Sequence, residues 1–231
     1  MLTQFSRWNL KIIVFSYLIT GSFTGCGQEN LVFPDSGLKD NIAECGVAYP
    51  QLEHPEQDNA PCYCAEENNT FPCLVWESAR QNGEDTYISA SNIYLDAKHG
   101  LTNTRSIIIV VSAENCSTCT ILISAIKNRA ADFEAAGAFM VGMARRSLTG
   151  STEDPDFDLD KAELVLASES WPLEWPITND EEGYLSRTFD TATPWVVVVD
   201  VRDMKVKVAS NQRFTPDPSG VEDLLQYIDK F

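Results

Sequence analysis

The sequence predicts an α/β domain built on a central mixed β-sheet flanked by helices. Three observations carry that reading. Residues 106–112 (Ser-Ile-Ile-Ile-Val-Val-Ser) form an unbroken β-branched run, as expected of a strand buried on both faces. Residues 195–201 (Trp-Val-Val-Val-Val-Asp-Val) repeat that pattern. Between them Leu122, Ile126, Ala130 and Phe133 recur at helical spacing, so strands alternate with a helix that covers one face.

The N-terminus precedes this domain. Arg7 and Lys11 stand ahead of an apolar run over residues 12–23, and no acidic residue occurs before Cys26. The run is too short to span a bilayer and reads as a secretory signal. It stops at Phe23-Thr24-Gly25-Cys26, which resembles a lipobox, with Phe23 where Leu is commoner. That resemblance implies lipidation of Cys26 after removal of residues 1–25; ordinary signal cleavage with Cys26 left as a spare thiol is the alternative. The 206 residues that remain suffice for one sizeable core. They carry 15 basic against 34 acidic residues, a net charge of −19. Such a surface repels nucleic acid and anionic headgroups, so neither is expected as a partner, and the acidity is read as a solubility device.

Residues 26–70 are rich in Pro, Asn, Gln, Glu and Asp with little apolar periodicity, as expected of a tether. Cys45, Cys62 and Cys64 fall in it and Cys73 follows, so it is expected to be stapled by disulfides. Cys62 and Cys64 are too close in sequence to bond each other well, so each is expected to pair with Cys45 or Cys73 in an order left open. A four-thiolate zinc site is disfavoured because the usual Cys-x-x-Cys pairs are missing among these four, and no metal is expected.

The domain proper is expected over residues 71–231. Residues 74–76 and 87–89 look like short strands and residues 91–95 like one helical turn. The strand at 106–112 leads through Ala113-Glu114-Asn115 into Cys116, and residues 116–136 read as a single helix closed by Gly137. A second core strand follows at 138–144. Residues 145–170 form an insertion after it, with Asp158 as N-cap of a helix through Leu159, Ala162, Leu166 and Ala167. Residues 175–178 suggest a strand and 180–189 a short helix. The strand at 195–201 turns through Arg202-Asp203 into a strand at 204–209, and a helix over 219–227 presents Val221, Leu224, Leu225 and Ile228.

The chemistry centres on Cys116 and Cys119. Three apart at the start of a helix, they lie on one face of its first turn and can bond each other. Partial positive charge at the helix N-terminus favours a Cys116 thiolate, the nucleophile, and Cys119, one turn in, resolves the mixed disulfide. A structural disulfide or half of a zinc site are the other readings of such a spacing. An apolar strand, the Cys-x-x-Cys, an amphipathic helix and, much later, Thr193-Pro194 before a second apolar strand resemble the thioredoxin-like superfamily, particularly its exported TlpA-type and redoxin members. The resemblance covers residues 85–231. It implies a cis Pro194 lying against the disulfide, a Thr193 backbone open to an extended substrate, Trp195 bordering the substrate groove, and no cofactor beyond the dithiol.

Departures from that pattern are specific. Asn115 stands where Trp is common, Ser117-Thr118 replaces Gly-Pro, residues 107–111 contain no acid to accept a proton from Cys119, and Glu114 is expected to be exposed. Ala113 lacks the hydroxyl a peroxidatic cysteine would want, and both histidines, His54 and His99, precede the motif, which disfavours copper delivery. Trp171 and Trp175 are expected in the core. The reading is therefore a monomeric, lipid-anchored thiol–disulfide oxidoreductase of the bacterial cell envelope, leaning to the outer membrane because Gly27 follows Cys26, acting on protein or small thiol and disulfide substrates. Its rival is a non-catalytic binding or structural lipoprotein with Cys116–Cys119 as a stabilising bridge.

Overall fold

A computed structural model describes residues 50, 67–71, 73–145, 158–179, 193–210 and 213–231. The signal segment, Cys26, Cys45, Cys62, Cys64 and the expected helix over 180–189 lie outside the described residues.

Seven strands form one mixed sheet. β1 (Val75–Gln81) and β2 (Glu84–Ser89) make a hairpin, followed by α1 (Ala90–Lys98). Then come β3 (Ser106–Ala113), α2 (Ser117–Lys127), α3 (Ala130–Ala135) and β4 (Ala138–Arg145). The chain continues with α4 (Leu159–Ser168), β5 (Ile177–Asn179), β6 (Trp195–Asp200), β7 (Lys205–Ser210) and α5 (Pro218–Ile228). The strand order is β2-β1-β5-β4-β3-β6-β7. β3 runs parallel to β4 and antiparallel to β6, so the two β-branched runs lie side by side at the centre.

Residues alternate between the two faces of β3, and each face has its own core. Ile107, Ile109 and Val111 pack with Phe71, Leu74, Trp76, Ile88 and, from α1, Tyr94. Ile108 and Val110 pack with Leu122, Ile123 and Ile126 of α2, Phe133 of α3, Ala162 and Leu166 of α4, and Val221, Leu224 and Leu225 of α5. Every residue of β3 is buried, which explains why the strand carries no polar alternation. Removing an aliphatic side chain of this size from water contributes about 1.5–3 kcal/mol, so this strand is the principal apolar anchor of the fold.

Several local expectations are refined. The helix read as continuous over 116–136 breaks at Asn128-Arg129, because the Asn128 and Arg129 amides turn back to Ser124 and Ile126 and Arg129 starts α3. Gly137 adopts φ 75° and ends that pair of helices as expected. Asp158 caps α4 by accepting from the Lys161 amide at 3.0 Å. The piece read as one helical turn is a full helix, α1, capped by Ser89. The strand pieces at 74–76 and 87–89 are the far ends of a longer hairpin that turns at Asn82-Gly83, whose φ values of 55° and 77° suit a primed turn. The β6–β7 connection uses residues 201–204 rather than Arg202-Asp203 alone, with Met204 at φ 53° and Asp200 paired to Lys205.

Trp171 and Trp175 are buried in the α2 face, stacked edge to face at 5.4 Å. Gly142 in β4 permits this, since a Cβ there would lie 2.7 Å from Trp171 Cε2. Gly142→Ala is expected to destabilise the domain by about 1–3 kcal/mol through overpacking, read as a lower urea midpoint at unchanged slope. An unshifted midpoint would show that Trp171 yields freely.

Candidate active site

The site forms where β3 ends. After Ala113 the chain turns through Glu114 and Asn115, both exposed, and the Cys116 amide donates to Ala113 O at 3.2 Å. Asn115 takes φ 62°, a left-handed conformation that Asn tolerates better than most side chains. That turn delivers Cys116 to the N-cap of α2. Its sulfur accepts from the Cys119 amide at 3.1 Å, and its carbonyl accepts from the Thr120 amide at 3.2 Å. Cys116 and Cys119 are joined by a disulfide, with Cα atoms 5.2 Å apart.

The two sulfurs are not equivalent. Cys116 is half-buried, whereas Cys119 is fully buried. α2 has no acidic residue in its first turn, so nothing there opposes the partial positive charge of the helix end. In the reduced form that charge, together with the Cys119 amide, favours negative charge on Cys116. No lysine or arginine stands in the motif, so the helix terminus and local donors are the local features that favour the thiolate.

The second half of the site arrives from far along the chain. Trp195 at the start of β6 is opposite Val111 of β3, and this antiparallel register sets the residues just before Trp195 beside the end of β3. The Thr193–Pro194 peptide is cis, Pro194 is buried, and the Thr193 hydroxyl donates to Cys116 Sγ at 3.4 Å across 77 residues of sequence. Trp195 is half-buried beside it. The structure thus brings Cys116, Cys119, Thr193, Pro194 and Trp195 together. Cys73 lies elsewhere, buried and disulfide-bonded.

A polar pair underlies this end of the sheet that sequence reasoning missed. The Ser112 hydroxyl, fully buried, donates to Glu169 Oε2 at 2.5 Å, and Glu169 is only 3% exposed. Burial pushes the Glu169 carboxyl up to about 7, with the Ser112 hydrogen bond partly opposing the shift. The strand before the motif indeed supplies no acid; the buried acid comes instead from the C-cap of α4. No local signal separates Glu169 from the other acidic residues, because its burial depends on a contact 57 residues away.

No protein-family model and no curated protein sequence matches the chain. Among solved structures, the Plasmodium yoelii thioredoxin peroxidase I superposes with a TM-score of 0.51 at 14% identity, covering 71% of this chain and 90% of the other. A protein described as the thiol:disulfide interchange protein DsbE of Chlorobium tepidum gives 0.50 at 15% identity, covering 71% and 98%. At these identities the likeness establishes the fold, which is thioredoxin-like. A bonded Cys-x-x-Cys pair at a helix tip fits a redox motif on that fold.

The raised Glu169 carboxyl has a signed consequence for stability. Its contribution is fully present below about pH 4.5 and is lost as pH rises towards about 7, because the folded state holds the proton more tightly. Relative to Glu169→Gln, the wild type is therefore expected to lose up to about 3 kcal/mol between those two pH values in urea titrations. A constant difference between the two proteins would contradict the assignment.

Proposed function

We propose that the chain is a thiol–disulfide oxidoreductase of the bacterial cell envelope, tethered by lipid on Cys26 and using Cys116 and Cys119 on protein or low-molecular-weight thiol and disulfide substrates. The observation that carries the redox part is the pairing of an accessible sulfur and a buried one at a helix tip, with the Thr193 hydroxyl 3.4 Å from the accessible sulfur. That asymmetry assigns the roles. Cys116 exchanges with the client, and Cys119 attacks the resulting mixed disulfide from within. Two electrons pass between the dithiol and the client disulfide in either direction.

Thr193, Pro194 and Trp195 border the reactive sulfur and are the surface against which a client segment lies. The Thr193 hydroxyl also stabilises negative charge on Cys116 as it leaves. Peroxidase chemistry is the poorer reading despite the fold likeness, since Ala113 offers no hydroxyl three residues before Cys116. The anchoring part rests on the charged start, short apolar run and Cys26 of the N-terminal sequence, with Gly27 favouring the outer membrane.

Wild-type protein is expected to accelerate insulin reduction by dithiothreitol, and Cys116→Ser to abolish the effect. Cys119→Ser is expected to accumulate mixed disulfides through Cys116 that gel electrophoresis without reductant displays. Cells fed an alkyne fatty acid are expected to label the full chain but not Cys26→Ser. Equal insulin rates for wild type and Cys116→Ser would leave the disulfide a structural bridge, and labelling that persists without Cys26 would remove the anchor.

A further inference from the structure

The charge of the chain bears on which clients reach Cys116. Aspartate and glutamate outnumber lysine and arginine by 34 to 17, a formal net charge of −17. Several of the arginines are already paired within the fold: Arg80 with Asp85, Asp160 and Glu163, Arg129 with Asp132 and Glu222, and Arg213 with Glu67. The surplus is therefore acidic, and its field reaches over a Debye length, about 10 Å at about 0.1 M salt.

The segments that carry the site add to that field. Within residues 113–121 and 193–195 the one charged side chain is Glu114, exposed on the turn that leads into Cys116. The N-terminus of α2 carries the opposing partial charge, but that charge acts within about one turn and is met by Cys116 Sγ, which accepts from the Cys119 amide. A groove of about 550 Å³ continues from Ser117 along α2, with Ile121, Ala125 and Pro218 of α5 as its apolar part and Thr120 and Ser124 as its polar part. None of these side chains is charged. At the α5 end, Asp217 precedes Pro218, and the Ser219 hydroxyl and Gly220 amide hold its carboxyl below the usual carboxylate range, so it stays ionised. Lys127, the cation of α2, belongs to the last turn of that helix. A client entering beside Cys116 thus meets a carboxylate and then uncharged surface.

Resting on the exchange reading above, we propose that the site selects its clients by charge, with Glu114 setting the preference: disulfides flanked by basic groups are accepted and anionic ones are turned away. In the reduced protein the Cys116 thiolate attacks a client disulfide, the client S–S bond breaks, the Cys116–client bond forms and one client sulfur leaves as thiolate. Cys119 then attacks Cys116 Sγ, the Cys116–Cys119 bond forms and the second client sulfur leaves. The protein dithiol is oxidised by two electrons, the client disulfide is reduced, and the protons of the two protein thiols pass to solvent. In the first step an anionic client brings a third negative charge to the attacking sulfur and Glu114, whereas a cationic client offsets them. The effect acts through water and needs no fixed contact. It is read as an exchange rate that falls for cations and rises for anions as salt is added.

The test uses the reduced full chain with three small disulfides: cationic cystamine, anionic 3,3′-dithiodipropionate and neutral 2-hydroxyethyl disulfide. Loss of the Cys116 thiol is followed by acid quench, alkylation and mass spectrometry. Each charged rate is divided by the neutral rate for the same protein, which cancels any change in the intrinsic reactivity of Cys116. For the wild type, raising the ionic strength from about 0.02 to about 0.5 M is expected to lower the cystamine ratio by about threefold and to raise the dithiodipropionate ratio. At low salt, Glu114→Gln is expected to narrow the spread between the two ratios by about threefold and Glu114→Lys by about tenfold, with the three proteins converging at high salt. Salt trends of the same sign for both charged disulfides, or a spread untouched by Glu114→Lys, would overturn the proposal while leaving exchange intact. Failure of all three disulfides to consume the Cys116 thiol would instead remove the exchange reading itself.

Discussion

The antiparallel pairing of β3 with β6 is the constraint on which the site depends. Both strands are apolar and buried, so their register is set by the packing of two faces rather than by any residue of the site. Val111 opposite Trp195 places the end of one strand beside the start of the other. A slip by one residue would exchange the faces of β6 and carry Thr193 away from Cys116. Cys116 and Thr193 are thus brought together by buried Ile and Val side chains.

Two buried acids on the same face show how environment sets role. Asp200 keeps its charge because Arg202 and Lys207 pair with it, holding its carboxyl below the usual range despite burial. Glu169 has, among the described residues, the Ser112 hydroxyl as its side-chain partner and is pushed the other way. A charge-paired acid fastens the β6–β7 turn. The acid left with a hydroxyl lies by the end of β3 that leads into Cys116.

Much of this was legible from residues alone, for physical reasons. The buried strands announce themselves by unbroken β-branched runs, and the helix ends by Asp158 and Gly137. The dithiol is a local motif, so its bond follows from spacing at a helix start. What escaped was non-local or overlooked. Asn82-Gly83 carries a strong hairpin signal, yet β1 and β2 read as two fragments because Glu77, Ser78 and Arg80 interrupt their apolar pattern. The break at Asn128-Arg129 leaves the helical spacing of apolar residues nearly undisturbed, so periodicity reads through it. Glu169 is the C-cap of α4, and only the tertiary contact with Ser112 reveals it as buried.

Equilibrating the protein in glutathione redox buffers and counting free thiols at Cys116 and Cys119 by mass spectrometry tests the central claim most directly. An exchanging pair at an exposed helix tip predicts a reversible transition between about −270 and −120 mV. A pair that stays bonded below about −300 mV would be a structural bridge, and the account of this site as a redox centre would be contradicted.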